Sequence, residues 1–308
     1  MNESYNIHYL HQSAIDDDKW NACIDSADNG LIYGYSWYLD HMSENWDAII
    51  VNDYEAVMPL TWNKKYGIHY LYQPFLTAEL GVFGKKLNGE FVGSLFRSIP
   101  KKFKYWDISL NHGNIFDINS FPIYRRSNYL LDLNSSYENL YNGFSENIQR
   151  NIKKAEQAGC YTQKDIDVEE VIKLAQQQMR SYAEKYIENI ESFRLLFKYL
   201  HILKQAVTYG VFSKENKLLS SCVFFYSHNR AYYILVGNDP EGKDIGASHT
   251  VINAFIKDHA GKNMLFDFEG SDIPGLALFY KSFGAIEEKY AAIKLNRLPF
   301  YLKWIKKS

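Results

Sequence analysis

Apolar and polar positions along this chain form short strand-like runs that alternate with longer helix-like runs. Two hairpins stand out, at residues 46–62 with an Asn-Asp turn and at residues 208–227 with a turn at 214–217. Each hairpin precedes an aromatic strand, an amphipathic helix and a further strand. These elements are predicted at residues 68–72, 90–99 and 105–110 in the first half, and at 230–237, 247–260 and 264–269 in the second. The pattern predicts a mixed α/β fold whose plan occurs twice.

The spacing between the two halves supports an internal duplication. Trp46 and Thr208 occupy matching positions 162 residues apart, and so do Tyr70 and Tyr232. We therefore predict two similar α/β domains, residues 1–126 and 127–308, that meet near Ser127. The alternative is a chance agreement between two mixed α/β segments, because the side chains at matching positions are mostly different.

Two segments of the second half, residues 137–159 and 168–205, have no clear counterpart in the first. Residues 137–159 are predicted as a single helix that ends at Gly159. Within it Arg150, Lys153 and Lys154 lie three and four residues apart and therefore share one face. This basic face is either a solvated surface or an anion clamp. As a clamp it would bind substrate through Arg150 and Lys153, together with Arg126 of the linker.

Composition narrows the class of protein. The 308 residues are 46% hydrophobic and 16% aromatic, which excludes a disordered chain. The net charge of −2 argues against a surface that binds nucleic acid as a whole, and we expect no DNA partner.

The cysteines and the N-terminus bear on location. Cys23, Cys160 and Cys222 are irregularly spaced, which indicates free thiols in a reducing compartment. No basic start precedes an apolar run, and no run reaches the ~18 apolar residues of a membrane span. We expect a cytoplasmic protein with no integral membrane segment, no metal site and no tightly bound cofactor.

Candidate chemistry lies in residues 264–284. Asp267 and Glu269 alternate along a predicted strand, so we expect their carboxylates to share one face near the strand's C-terminal end. Lys281 follows on the next helix. Together they form a candidate catalytic site; the alternative is two turn-capping acids and a solvated lysine.

A second candidate is the segment NDPEGKDIGAS, residues 238–248, which precedes a predicted helix. A glycine-containing loop at a helix start presents unpaired backbone N–H groups that suit a phosphate. Gly246 would allow close backbone approach, and Lys243 would add positive charge. Ala247 and Ser248 would complete the loop.

Three pieces of the second half carry a resemblance to a known family. They are the helix motif ENIQRNIKKAEQAG, the strand FDFEGSD and the segment GLALFYKSFGA, and they span most of residues 128–295. The arrangement resembles the GNAT N-acyltransferase fold, and two such domains in tandem resemble the FemAB-like acyl- and aminoacyltransferases. The first half is similar in general form.

The resemblance implies an N-acyltransferase. An acyl or aminoacyl group would pass from acyl-CoA or aminoacyl-tRNA to an amine acceptor between the two domains, such as a peptide or glycan precursor of the cell envelope. Backbone groups near Leu235, Gly237 and Asn238 would stabilise the oxyanion. The implied catalytic residues are Glu269 as base, Lys281 as the cation at the carbonyl and Tyr280 as proton donor, with Asp267 as support.

The chain also departs from the family pattern. Lys243 and Ser248 replace the residues usual in an acetyl-CoA loop. Residues 168–205, predicted as one or two helices, are too short for the coiled-coil arm of peptidoglycan-bridge members. The missing arm and the near-neutral charge make tRNA a less favoured partner and indicate an arm-less member. The alternative function is a catalytically silent GNAT-like ligand-binding protein.

Overall fold

The computed structural model describes residues 5–116, 121–178, 183–270 and 272–300. Contacts divide the chain into two units. The first contains the described residues up to Arg126 together with those from Lys289 onward. The second is Ser127–Glu288.

The first unit is a mixed sheet with helices. Its strands are β1 (Ile7–His11), β2 (Trp46–Val51), β3 (Ala56–Lys65), β4 (Ile68–Tyr72), β5 (Phe83–Gly84) and β6 (Phe103–Ser109), and its helices are α1 (Asp17–Ser26), α2 (Ser36–Met42) and α3 (Gly89–Ser98). The strand order is β1-β2-β3-β4-β6, antiparallel except for the parallel pair β4 and β6. The short β5 pairs with β3. Trp106 and Phe103 lie in its core together with Leu95 of α3.

The chain enters the second unit within β7. The elements that follow are β7 (Ile123–Asp132), α4 (Tyr137–Asn142), α5 (Glu146–Gln157), β8 (Tyr161–Lys164), α6 (Val168–Gln178), α7 (Ala183–Ile202), β9 (Ala206–Phe212), β10 (Leu218–Ser227), β11 (Arg230–Asn238), α8 (Pro240–Ile245), α9 (Ala247–His259), β12 (Leu265–Asp267), α10 (Pro274–Lys281) and β13 (Ile286–Asn296). The strand order is β8-β9-β10-β11-β12, antiparallel except for the parallel pair β11 and β12.

The two units share one plan. The first unit from β1 and the second unit from β8 both run strand, two helices, hairpin, strand, helical crossover and parallel strand, so the predicted mixed α/β fold of two tandem GNAT-like domains is confirmed. β6 of the first unit pairs with residues 292–296 of β13, and β12 pairs with residues 130–132 of β7. The described residues 289–300, predicted as part of the second domain, therefore group with the first unit.

The predicted single helix at residues 137–159 is wrong, because the structure has two helices there. Gly143 caps the C-terminus of α4. The Ser145 side chain then accepts a hydrogen bond from the Ile148 N–H and starts α5. Residues 168–205 form two helices, α6 and α7, one of the two predicted alternatives.

Helix α6 packs closely against β11 at Gly237. A Cβ atom at this position would lie 2.6 Å from the backbone nitrogen of Ala175. We expect Gly237→Ala to lower the free energy of unfolding by about 1–3 kcal/mol, because a helix backbone would have to move. Urea denaturation measures this change. The control is Gly275→Ala on α10, where a Cβ would meet no described atom within 4 Å; equal losses in both variants would contradict the packing argument.

Candidate functional site

The pairing of the parallel strands β11 and β12 ends well before the C-terminal end of β11. Pairing is limited to Arg230–Tyr232 with Leu265–Asp267, and β11 continues to Asn238 after β12 has ended. A β-bulge at Ile234 interrupts the register of β11 with β10, because Tyr233 pairs with Phe224 while Leu235 pairs with Val223. Among the described residues, the edge of β11 that faces β12 therefore has no partner strand beyond Tyr232, and we call this unpaired edge the strand opening.

The predicted oxyanion donors line this stretch of β11. Leu235 is buried and pairs with Val223 on the β10 side. Gly237 is held against α6. The Asn238 N–H already donates to the side-chain oxygen of Gln178 at 2.8 Å. Their proposed role with a ligand stays a prediction.

Asp267, at the end of β12, lies in a buried polar network. One carboxylate oxygen accepts from the Asn128 amide and from the Glu269 backbone N–H, each at 2.9 Å. The other accepts from Arg230 at 3.0 Å, and Arg230 also binds Glu288 at 3.1 Å. Because both Asp267 oxygens are occupied, this side chain holds the turn after β12 in place.

Glu269 lies in that turn and not on the strand. The strand ends at Asp267, and Glu269 has a left-handed backbone with φ of 66°. The prediction that the two carboxylates share one strand face is therefore wrong. The physical reason is the bond from the Glu269 N–H to the Asp267 carboxylate, which favours a turn over continued strand pairing.

Helix α10 carries the other two candidate residues next to this turn. Tyr280 is buried; burial, assisted by the nearby negative charge of Glu269, raises its pKa to about 12. The Lys281 side chain is 49% exposed, with its Nζ 3.8 Å from Glu287 and 5.4 Å from the centre of the Tyr129 ring. The fold thus places Glu269, Tyr280 and Lys281 on adjacent elements that follow β12.

The predicted phosphate loop is mostly helical. Residues 240–245 form α8, whose Lys243 and Gly246 N–H groups donate to the carbonyls of Asp239 and Gly242. Gly246 has φ of 90°, and a Cβ there would lie 2.5 Å from the backbone oxygen of Asn151 on α5. The Lys243 and Gly246 N–H groups, predicted to bind a phosphate, therefore already donate hydrogen bonds within the segment, and α5 packs against Gly246.

The other two loop positions lie in the first turn of α9. Ala247 is fully buried, and Ser248 is partly buried with its hydroxyl 3.5 Å from the His249 ring. No phosphate is needed to explain these placements. The assignment of Ala247 and Ser248 to donor binding stays a prediction.

The predicted anion clamp divides between the units. Arg126 belongs to the first unit, where it donates to the Ser109 hydroxyl at 3.1 Å. Arg150 and Lys153 lie on α5 and line a shallow groove of the second unit. Lys154 lines it as well and donates to the Asp244 carbonyl at 2.6 Å, which ties α5 to α8.

Three residues that matter here were not identified from the sequence. Arg230 and Asn128 hold Asp267, and Tyr129 lies beneath Lys281. Arg230 offered one signal, since a charged residue at the head of an apolar strand is rarely buried without a partner. Its partner is 37 positions away, which no local pattern indicates.

The described ranges lack both a metal-binding cluster and a membrane-spanning helix. No cluster of three or more His, Cys, Asp or Glu side chains that could hold a metal ion occurs there. No helix in the same ranges has the length and apolar character needed to cross a bilayer.

The fold matches known structures, whereas no protein-family model and no curated protein sequence matches the chain. A crystal structure of FemX is similar with a TM-score of 0.65 and 14% identity, covering 97% of this chain and 99% of that one. A conserved protein of unknown function from Bacteroides thetaiotaomicron is similar with a TM-score of 0.59 and 11% identity, covering 95% of this chain and 100% of that one. L-PGS from Bacillus licheniformis is similar with a TM-score of 0.51 and 11% identity, covering 94% of this chain and 95% of that one. The chain has the FemX-like tandem GNAT fold, as the sequence resemblance predicted.

The raised pKa of Tyr280 gives a testable pH dependence. The pKa of Tyr280 in the folded protein is about 12, against the 10.0 that is ordinary for a tyrosine. The stability that protonated Tyr280 contributes is therefore fully present below pH 10 and is lost as pH rises through 12. We expect the wild-type unfolding free energy to fall by about 2–3 kcal/mol more than that of Tyr280→Phe between these limits. Chemical denaturation across this pH range measures the difference. Parallel pH curves for the two proteins would contradict the assignment.

Proposed function

We propose that this protein is an N-acyltransferase that moves an acyl or aminoacyl group from an activated donor to an amine. The observation that carries the proposal is the strand opening, beside which Glu269, Tyr280 and Lys281 follow β12. The FemX-like fold supports it. An extended β11 edge next to a carboxylate, a phenol and an ammonium suits the charges of acyl transfer.

The proposed reaction transfers the acyl group from the donor oxygen or sulfur to the acceptor nitrogen. The acceptor nitrogen attacks the donor carbonyl carbon and forms the new C–N bond, and negative charge develops on the carbonyl oxygen. The nitrogen loses one proton to Glu269. The C–O bond of an ester donor, or the C–S bond of a thioester donor, then breaks, and the leaving group takes the electron pair and a proton.

Each side chain suits one of these tasks. The ammonium of Lys281 is anchored by Glu287 and Tyr129 and would stabilise the carbonyl oxygen. Glu269 is oriented through its backbone bond to Asp267 and would serve as base. Tyr280 keeps its proton up to about pH 12 and would donate it to the leaving group.

The donor is the less defined partner. Because α5 closes on Gly246 and α8 uses its own N–H groups, an aminoacyl ester fits the segment at least as well as the pyrophosphate of acyl-CoA. Aminoacyl-tRNA and acyl-CoA are therefore both candidate donors. Arg150 and Lys153, in the groove on α5, would contact an anionic part of the substrate, for example of a cell-envelope precursor. We propose a cytoplasmic location for this reaction.

A second candidate function also has an observation in its favour. The closure of the phosphate segment by α5 fits a GNAT-like module that binds a ligand without turnover. In that case the donor site would be lost while the basic groove on α5 remained available.

A thermal-shift experiment separates these candidates. Acetyl-CoA, longer acyl-CoAs, CoA and aminoacyl-tRNA are added to the purified chain, and a donor at 100 times its Kd should stabilise it by ~2.7 kcal/mol. We expect one donor class to shift the unfolding temperature. No shift with any of them would favour the silent module and contradict the transferase proposal.

A further inference from the structure

A basic pocket lies at the other end of β11 from the strand opening. Lys164 at the end of β8, Lys204 after α7 and Lys262 after α9 line it. Tyr226 and His259 form its floor, with the tyrosine oxygen 3.2 Å from the His259 Nε2. This basic pocket is separate from the transfer site because it adjoins the N-terminal end of β11.

The basic pocket carries a net positive charge. Within the described ranges, none of the three lysine ammonium groups forms an ion pair or a hydrogen bond. His259 donates its Nδ1 proton to the Phe255 carbonyl at 2.9 Å, and burial, together with the charges of Lys262 and Lys164, lowers its pKa. The carboxylate that lines the pocket is Asp165. Three ammonium groups against one carboxylate favour an anionic partner.

An exposed apolar stripe runs along α7 to the mouth of this pocket. Leu195, Tyr199, Ile202 and Leu203 are 50%, 39%, 80% and 49% exposed. The first three lie on α7 at spacings of four and seven residues, within about 60° of its circumference, and Leu203 lies in the turn that follows the helix. Ile202 also lines the basic pocket, so the apolar stripe and the lysines form one continuous surface.

We propose that this surface docks the protein onto an anionic membrane, with the three lysines on lipid phosphates and the apolar stripe in the headgroup region. Basic residues beside exposed aliphatic side chains are the combination that binds an anionic lipid surface. A nucleic acid would satisfy the lysines and leave Ile202 and Leu203 in water. A second copy of this chain in a two-fold contact would bring two lysine clusters together.

Vesicle co-sedimentation tests the proposal. The full chain should sediment with vesicles that contain phosphatidylglycerol and not with pure phosphatidylcholine, and salt should reverse the binding. A triple replacement of Lys164, Lys204 and Lys262 by serine should weaken binding about a hundredfold, since each surface lysine contributes about fivefold. Ile202→Asp should weaken it as well, through loss of the apolar contact.

The control is a triple serine replacement of the exposed Lys64, Lys65 and Lys101 of the first unit, which should bind vesicles as the wild type does. Equal loss in both triple variants would overturn the proposal, because binding would then follow net charge alone. Stabilisation by inorganic phosphate without vesicle binding would also overturn it, in favour of a free-phosphate site. A change in the oligomeric mass of Ile202→Asp without vesicles would indicate a self-contact instead.

Discussion

Arg230→Met is expected to destabilise the second unit by about 3–5 kcal/mol, because it leaves the Asp267 carboxylate buried without its cation. Hydrogen exchange of the β11 and β12 amides measures this loss within the unit, where a single global transition is not required. Adding Asp267→Asn to Arg230→Met should recover part of the stability, since no uncompensated charge then stays buried.

The matched control for this pair is an exposed one. Lys217 binds Asp239 and Glu241 at 3.0 and 2.8 Å on the surface, and Lys217→Met should leave protection of β11 and β12 unchanged. If the β11 and β12 amides of Arg230→Met exchanged as slowly as those of this control, the result would contradict the claim that the buried network holds the turn that carries Glu269.

Lys281→Met is expected to lower kcat by about 10²- to 10³-fold, because a cation that stabilises the developing oxyanion acts mainly in the transition state. KM for the donor should change little. The measurement is steady-state transfer with the donor found by thermal shift. Lys173→Met, an exposed lysine on α6, serves as control and should keep wild-type kcat.

The effects of Lys281 variants on kcat and KM distinguish a catalytic role of Lys281 from a role in structure or substrate binding. Lys281→Arg keeps the positive charge and should recover part of kcat. Full activity of Lys281→Met would remove Lys281 from the mechanism. A rise in KM at constant kcat would instead assign it to substrate binding.

The fold could be predicted from the sequence where its signals are local. The two hairpins follow from apolar runs and the turns between them. The duplication follows from two pairs of positions with the same spacing of 162 residues, Trp46 with Thr208 and Tyr70 with Tyr232. The pairing of β13 with β6 and of β7 with β12 could not be predicted. These pairs join residues more than a hundred positions apart, which no short-range pattern encodes.

The candidate site was predictable in its residue types and less so in its geometry. Strand alternation placed Asp267 and Glu269 on one face, but the Asp267 carboxylate binds the Glu269 N–H and ends the strand. Gly237 was predicted as part of the backbone that stabilises the oxyanion, and the packing of α6 against its Cα is a separate reason for a glycine at this position. In both cases a tertiary contact decided what the local pattern could not.

The most direct test of the transferase assignment is the formation of the product amide. The purified chain is incubated with isotope-labelled aminoacyl-tRNA or acyl-CoA and a pool of amine-bearing cell-envelope precursors, and mass spectrometry follows the label. We predict a new amide that carries the labelled group. The Glu269→Gln variant should form this amide about 10²- to 10⁴-fold more slowly than the wild type. Absence of labelled amide with every donor that binds, or an unchanged rate in Glu269→Gln, would contradict the proposed mechanism.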